Sequence, residues 1–317
     1  MVRFANREDA KNVVARWRGN PQSIIHIGDR GNSVFSFQNS DGAPQILRFT
    51  DPDFRSRAEL SAEIDFVNAL YAAGVAVAQC LPTVDGESVF LANCSSGALL
   101  CSSVAFAPGL EVQPDSQYWN ASFFKEWGRN LAQIHKFATT FETKMGEPQR
   151  WVWDQEILIA RAQQLISPSD QKSLEELSYV MGQCRKLPKS PSTFGLIHAD
   201  HAPQNFRYNS ENNRITTFDF GNCCYHWFIA DLAISLSTVR RKPNPEWIRE
   251  NILLGYSSIR ELPQDLDDQF DLFIRLRVVY VYLSRLHLWS ENRTADQEKD
   301  LAIFKNLVHS QTGWPKR

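Results

Sequence analysis

The sequence predicts an α+β chain in two lobes, a small antiparallel sheet with one helix followed by a mainly helical half. Three observations carry this expectation. A chain of 317 residues with 43% hydrophobic and 22% charged content has average globular composition but exceeds the usual size of one domain. Residues 23–50 alternate apolar runs around a turn, which is a hairpin signature. Beyond Pro108-Gly109 the apolar spacing lengthens to three and four residues, the period of helices.

In order along the chain, SIIHIG, NSVFSFQ and PQILRFT read as strands, with Asn39-Ser40-Asp41-Gly42 as the turn before the third. Leu60, Ile64, Val67 and Tyr71 mark one face of a helix over Ala58–Ala73, and Gly74 stands where it stops. Short apolar runs over 75–106, broken at Asp85-Gly86 and Ser95-Ser96-Gly97, return to strands. The first lobe is therefore 1–106 and the second 107–317. In the second lobe, stripes over Phe124–Ile134, Trp153–Leu165, Ala230–Val239 and Leu272–Leu288 predict helices, and 194–220 is a short β-rich insert.

Composition narrows the function. A formal charge of −2 gives no general electrostatic reason to bind nucleic acid. The most apolar late stretch, LFIRLRVVYVYL, carries Arg275 and Arg277, so no membrane span is expected. Six cysteines, at 80, 94, 101, 184, 223 and 224, show no zinc or redox spacing and read as buried thiols of a reducing compartment. With no secretory signal at the start, the cytoplasm is the expected location.

The chemistry gathers in the β-rich insert. FGLIHADHAPQNFRY delivers His198, Asp200 and Asn205 from the end of one strand, and ITTFDFGN delivers Asp219 from another. Phosphoryl transfer needs a carboxylate to take the hydroxyl proton, and hard oxygen ligands for Mg²⁺. Asp200 fits the base; Asn205 and Asp219 fit the metal.

His198-Ala199-Asp200-His201-Ala202-Pro203-Gln204-Asn205, then Phe218-Asp219-Phe220, then Asp231-Leu232-Ala233, resembles three ordered blocks of the aminoglycoside phosphotransferase and choline kinase superfamily. The resemblance implies a bilobal protein-kinase-like fold and an ATP- and Mg²⁺-dependent enzyme that phosphorylates a hydroxyl of a small molecule. The expected acceptors are amino alcohols, hydroxy amino acids, sugars and aminoglycosides. It extends to the first lobe, where Gly28-Asp29-Arg30-Gly31-Asn32-Ser33 resembles a nucleotide-covering loop. There Arg48 occupies the position of the family's phosphate-contacting base, and Glu63 that of its helix partner. Arginine replaces the lysine of protein kinases; it keeps its charge and clamps phosphate bidentately. Ser103–Pro108 resembles the hinge against adenine, which assigns Val104 and Phe106 to the nucleotide. Gly128 with Leu131 and His135 resembles the helix beneath the catalytic loop.

Some residues have plainer readings. His198 and Asp231 are expected to order the loop, and His135 to be a core histidine. Glu59 shares a helix face with Glu63 at an i, i+4 interval, so a solvated pair is the plain reading of either, and only the family register selects Glu63. His201, Tyr225 and Trp227 are assigned to the acceptor. In the last helices Arg275, Arg277 and Arg285 suit an anionic acceptor, whereas Asp265, Asp267, Asp268 and Asp271 suit a cationic one. No Ala-Pro-Glu motif follows Asp219, which argues against a protein acceptor. A protein-kinase-like enzyme and a nucleotide-binding scaffold remain the alternatives. The enzyme is expected as a monomer or homodimer.

Overall fold

A computed structural model describes residues 2–29, 31–141, 149–289 and 293–313. Contacts divide the chain into two units, Met1–Leu110 with Phe141–Arg150 and Thr216–Gly221, and Glu111–Thr140 with Trp151–Ile215 and Asn222–Arg317. The first unit thus runs four residues past the expected boundary and also takes in the loop that carries Asp219.

In the first unit, a short helix α1 (Arg7–Val13) is closed by an Asn6–Asp9 capping box. It precedes strands β1 (Ile25–Asp29), β2 (Asn32–Gln38) and β3 (Pro44–Thr50), helix α2 (Arg57–Ala72), and strands β4 (Cys80–Leu81), β5 (Phe90–Cys94) and β6 (Gly97–Ala105). The sheet is antiparallel in the order β1-β2-β3-β6-β4, with β5 pairing another stretch of β6. Strand alternation decides what each residue meets. Phe35, Phe37, Leu47 and Phe49 point to one face and bury against Val14 and Trp17. Arg48, between Leu47 and Phe49, points to the other. Ser56 and Glu59 form the capping box of α2, with Ser56 N donating to Glu59 Oε2 at 2.7 Å. Glu59 is thereby occupied as a cap.

The second unit holds α3 (Ala121–Ala138), short helices α4 (Ile157–Ala160) and α5 (Ala162–Leu165), and α6 (Gln171–Cys184). The chain continues through β7 (Phe194–Ile197), β8 (Phe206–Asn209), β9 (Arg214–Thr217), β10 (Cys224–Trp227), α7 (Phe228–Val239), α8 (Pro245–Ser257), α9 (Leu266–Leu288) and α10 (Ala295–Ser310). The single helix expected over Trp153–Leu165 is instead a 3-10 turn at Trp153–Gln155 followed by α4 and α5. The physical reason is Glu156, whose carboxylate accepts the amide of Leu158 at 2.6 Å and starts a new helix there. β7 pairs with β10, and β8 with β9.

Helices α3 and α8 cross backbone to backbone at two glycines. A Cβ on Gly128 would lie 1.9 Å from Ile252 O, and one on Gly255 would lie 1.8 Å from Lys125 O. Neither carbonyl can yield without moving its helix. Gly255→Ala is therefore expected to destabilise the protein by about 1–3 kcal/mol or more, read as a lower urea midpoint.

Candidate active site

Each unit presents its own half of the chemistry. In the first, Arg48 Nη2 lies 2.7 Å from Glu63 Oε1, and both side chains are buried. The contact is an ion pair out of line for a hydrogen bond, so Arg48 Nε and Nη2 remain buried without an acceptor. Burial pulls the Arg48 guanidinium down, but the carboxylates of Glu63 and Asp219 outweigh it and hold its pKa above the usual value. Arg48 is thus a fixed cation with unspent donors, the chemistry a phosphate oxygen satisfies. Asp219 sits at φ +63°, a left-handed backbone uncommon outside glycine. A Cβ at Gly221 would lie 3.4 Å from Asp219 Oδ1 and 3.7 Å from Arg48 Nη1, so this glycine keeps the cradle open beside both.

Arg150, which no local sequence signal marks, ties this cradle together. Its Nη1 donates to Glu59 O at 2.9 Å and lies 3.8 Å from Glu63 Oε2. Its Nη2 donates to Gly221 O at 2.5 Å. Gly28 and Gly31 lie with open space around them, Gly31 at φ +84°. Asn32 opens β2 opposite Thr50, while Arg30 lies outside the described residues. Val104 is a sheet residue opposite Ile46 and Cys80, and Phe106 is exposed just beyond the end of β6.

In the second unit, the loop after β7 carries Asp200 and Asn205. Ala199 takes φ +63°, and this kink turns Asp200 out of line with the strand. Asp231, fully buried on α7, holds the kink: its carboxylate accepts His198 N and Ala199 N, each at 2.7 Å. His135 closes the clamp, with Nε2 3.1 Å from Asp231 Oδ2 and Nδ1 2.9 Å from the Tyr256 hydroxyl. A neutral ring that donates from Nε2 and accepts at Nδ1 satisfies both. Burial raises the Asp231 pKa, but the His135 hydrogen bond together with the neighbouring His135, His198 and His201 outweighs it and leaves it below the ordinary value.

Asn205 Nδ2 donates to Asp200 Oδ2 at 2.9 Å and to Asp200 O at 2.8 Å. That leaves Asn205 Oδ1, a hard oxygen, for a cation. Asp200 Oδ1 pairs with Arg277 Nη2 from α9. Beside this pair opens a cavity with apolar walls that include Trp153, Ile234, Phe273 and Tyr280.

Three residues assigned to the acceptor do not line that cavity. His201 is fully buried, with Nδ1 accepting from Trp127 Nε1 at 3.0 Å and Nε2 3.2 Å from Asn130 Oδ1. Tyr225 and Trp227 lie on the opposite side of β10 from the cavity, which is lined by their neighbours Cys224 and His226. A period-2 strand makes an error of one position an error of face. Trp227 is buried and donates Nε1 to Pro188 O at 2.9 Å. The arginines expected to read an anion are also engaged: Arg275 with Glu176 at 2.7 Å, and Arg285 with Asp300 at 2.8 Å.

Burial holds three histidine side chains neutral here. It pulls His226 down to about 3, His201 well below its usual value, and His135 lower in spite of Asp231. The unfolded chain binds these protons below about pH 6.5 while the folded chain does not. Their contribution is therefore complete above that pH and is lost as pH falls. Urea unfolding at pH 7, 6 and 5 is expected to show stability falling at each step as these groups titrate in the unfolded chain.

Known proteins resemble this chain over its whole length. Amicoumacin kinase of Bacillus subtilis (strain 168) is 27% identical over 321 residues, covering 98% of this chain and 94% of that protein. A solved amicoumacin kinase in complex with AMP-PNP, Ca²⁺ and Ami superposes with a TM-score of 0.90 at 24% identity, over 99% of this chain and 96% of the other. A microcompartment-associated aminopropanol kinase superposes with a TM-score of 0.75 at 20% identity, over 96% of each chain. These structures share the bilobal kinase-like α+β fold. Among the described residues no helix is long and apolar enough to cross a membrane. The model of the phosphotransferase enzyme family matches residues 24–264. The chain belongs to that family, as an enzyme that uses ATP and Mg²⁺ to phosphorylate a hydroxyl of a small molecule.

Proposed function

We propose that the acceptor is amicoumacin or another hydroxylated molecule that seats an apolar part in the cavity, phosphorylated with Asp200 as the base. The observation that carries this is the cavity beside Asp200, walled by Trp153, Ile159, Phe273 and Leu276. A polycationic sugar would call for several free carboxylates. Glu156 is the carboxylate on this wall, and it already caps α4. Whole-length similarity to amicoumacin kinase supports the same reading.

In this mechanism Asn205 Oδ1 and the Asp219 carboxylate would hold Mg²⁺, which would neutralise charge on the phosphates. Arg48, braced by Glu63, supplies its unspent donors to phosphate oxygens. Gly28, Gly31 and Asn32 cover the phosphates, and Val104 and Phe106 flank the adenine. Asp200 orients the hydroxyl and takes its proton, while Asp231 and His198 fix the loop from behind: His198 Nδ1 accepts the Asp200 amide at 3.2 Å. Positioning of this kind supplies most of the rate in phosphoryl transfer. Initial rates with Mg-ATP and amicoumacin, 1-amino-2-propanol, choline and kanamycin test the acceptor. The highest kcat/KM is expected for amicoumacin, and a preference for kanamycin would refute the reading.

A further inference from the structure

We infer that Arg277 is a positioning residue that covers Asp200 until an acceptor enters, so that the base serves an alcohol rather than water. The inference rests on Asp200 being the base. Asp200 Oδ2 is taken by Asn205 Nδ2, and Oδ1 by the Arg277 guanidinium. Arg277 Nη1 also reaches Ala199 O at 3.4 Å, the carbonyl of the kinked residue just before the base. The guanidinium is largely withdrawn from water and lines the same cavity as Trp153, Phe273 and Tyr280. The oxygen that must receive the proton and the cavity that must receive the acceptor therefore meet at one side chain.

In the reaction the acceptor oxygen bonds to the γ-phosphorus of ATP. The bond from that phosphorus to the β–γ bridging oxygen breaks, its electron pair leaves on ADP, and the hydroxyl proton passes to Asp200 Oδ1. Water in place of the alcohol gives ADP and inorganic phosphate by the same bond changes. Water is always present, so an uncovered carboxylate would align it whenever Mg-ATP is bound. Arg277 on Oδ1 denies water that position. An acceptor seated against the apolar wall brings its hydroxyl to Oδ1 and displaces the guanidinium.

Hydrolysis of Mg-ATP without acceptor tests this directly. Arg277→Gln removes the charge and is expected to raise hydrolysis by roughly tenfold, the scale of one lost charge-assisted contact. Arg277→Lys keeps a cation within reach and is expected to stay nearer the wild-type rate. The rise should vanish in Arg277→Gln combined with Asp200→Asn. Without nucleotide, the urea midpoints of the two single variants and the double variant should be non-additive, the double shift being smaller than the sum. Unchanged or lower hydrolysis in Arg277→Gln, or additive midpoints, would overturn the role of Arg277. If Asp200→Asn keeps full transfer to alcohols, the assignment of the base fails instead. If Asp200→Asn is inactive while Arg277→Gln hydrolyses ATP at the wild-type rate, the base stands and the cover alone is wrong.

Discussion

Asp200→Ala is expected to lower kcat for phosphoryl transfer by about 10²–10⁴ while nucleotide affinity changes by less than roughly threefold. The split follows from where the side chain spends its contacts. Asp200 bonds to Asn205 and Arg277 and is turned out by the Ala199 kink, so it is built to meet an acceptor. On the proposed assignment the donors for phosphate are on Arg48, whose buried Nε and Nη2 the change does not touch. Single-turnover rates with saturating Mg-ATP, beside titration of a non-hydrolysable analogue, separate the two effects. A matching loss in nucleotide affinity would mean that Asp200 binds metal or phosphate and is not the base.

The second large effect is on stability. Asp231→Ala leaves His198 N, Ala199 N and His135 Nε2 buried without their acceptor. Losing one partner of a buried charged network costs about 3–5 kcal/mol, because the groups left behind cannot reach water. The left-handed Ala199 costs ~1–2 kcal/mol, which the Asp231 clamp offsets in the wild type and the variant no longer does. Asp231→Ala should therefore lower the urea midpoint markedly and abolish transfer. Asp231→Asn should fall between, since its amide keeps one oxygen for the two backbone donors. A midpoint within about 0.5 kcal/mol of wild type for Asp231→Ala would contradict the clamp.

Much of this arrangement was legible in sequence, and its limits have physical causes. His198 to Asn205 is legible as one unit because its contacts are local: the Asn205 amide reaches back five residues to Asp200. Asp231 is readable as structural because a charged residue inside the apolar α7 must be satisfied there. Glu59 and Glu63 share a helix face, and only the family register singles out Glu63; the structure pairs Glu63 with Arg48 and occupies Glu59 as a cap through the bond from Ser56. Aromatic character assigns Tyr225 and Trp227 to a pocket wall, whereas the phase of β10 turns Cys224 and His226 to the cavity beside Asp200. Arg150 and Arg277 lie far in sequence from the groups they serve. Arg277 was visible as one of three helix arginines, but nothing local distinguishes it from Arg275 and Arg285, whose carboxylate partners are equally remote or unmarked. Helices α6, α8 and α10 are not placed in the sequence reading, although the starts of two carry readable signals: Pro245 follows Asn244 at α8, and Thr294 and Gln297 form a capping box at α10.

The most direct test is phosphorus NMR of the products formed from Mg-ATP, amicoumacin and the wild-type enzyme. The expected result is ADP together with a new phosphomonoester resonance coupled to a hydroxyl-bearing carbon of the acceptor, absent with Asp200→Ala. ADP with inorganic phosphate alone, or phosphate attached to the protein, would contradict the account.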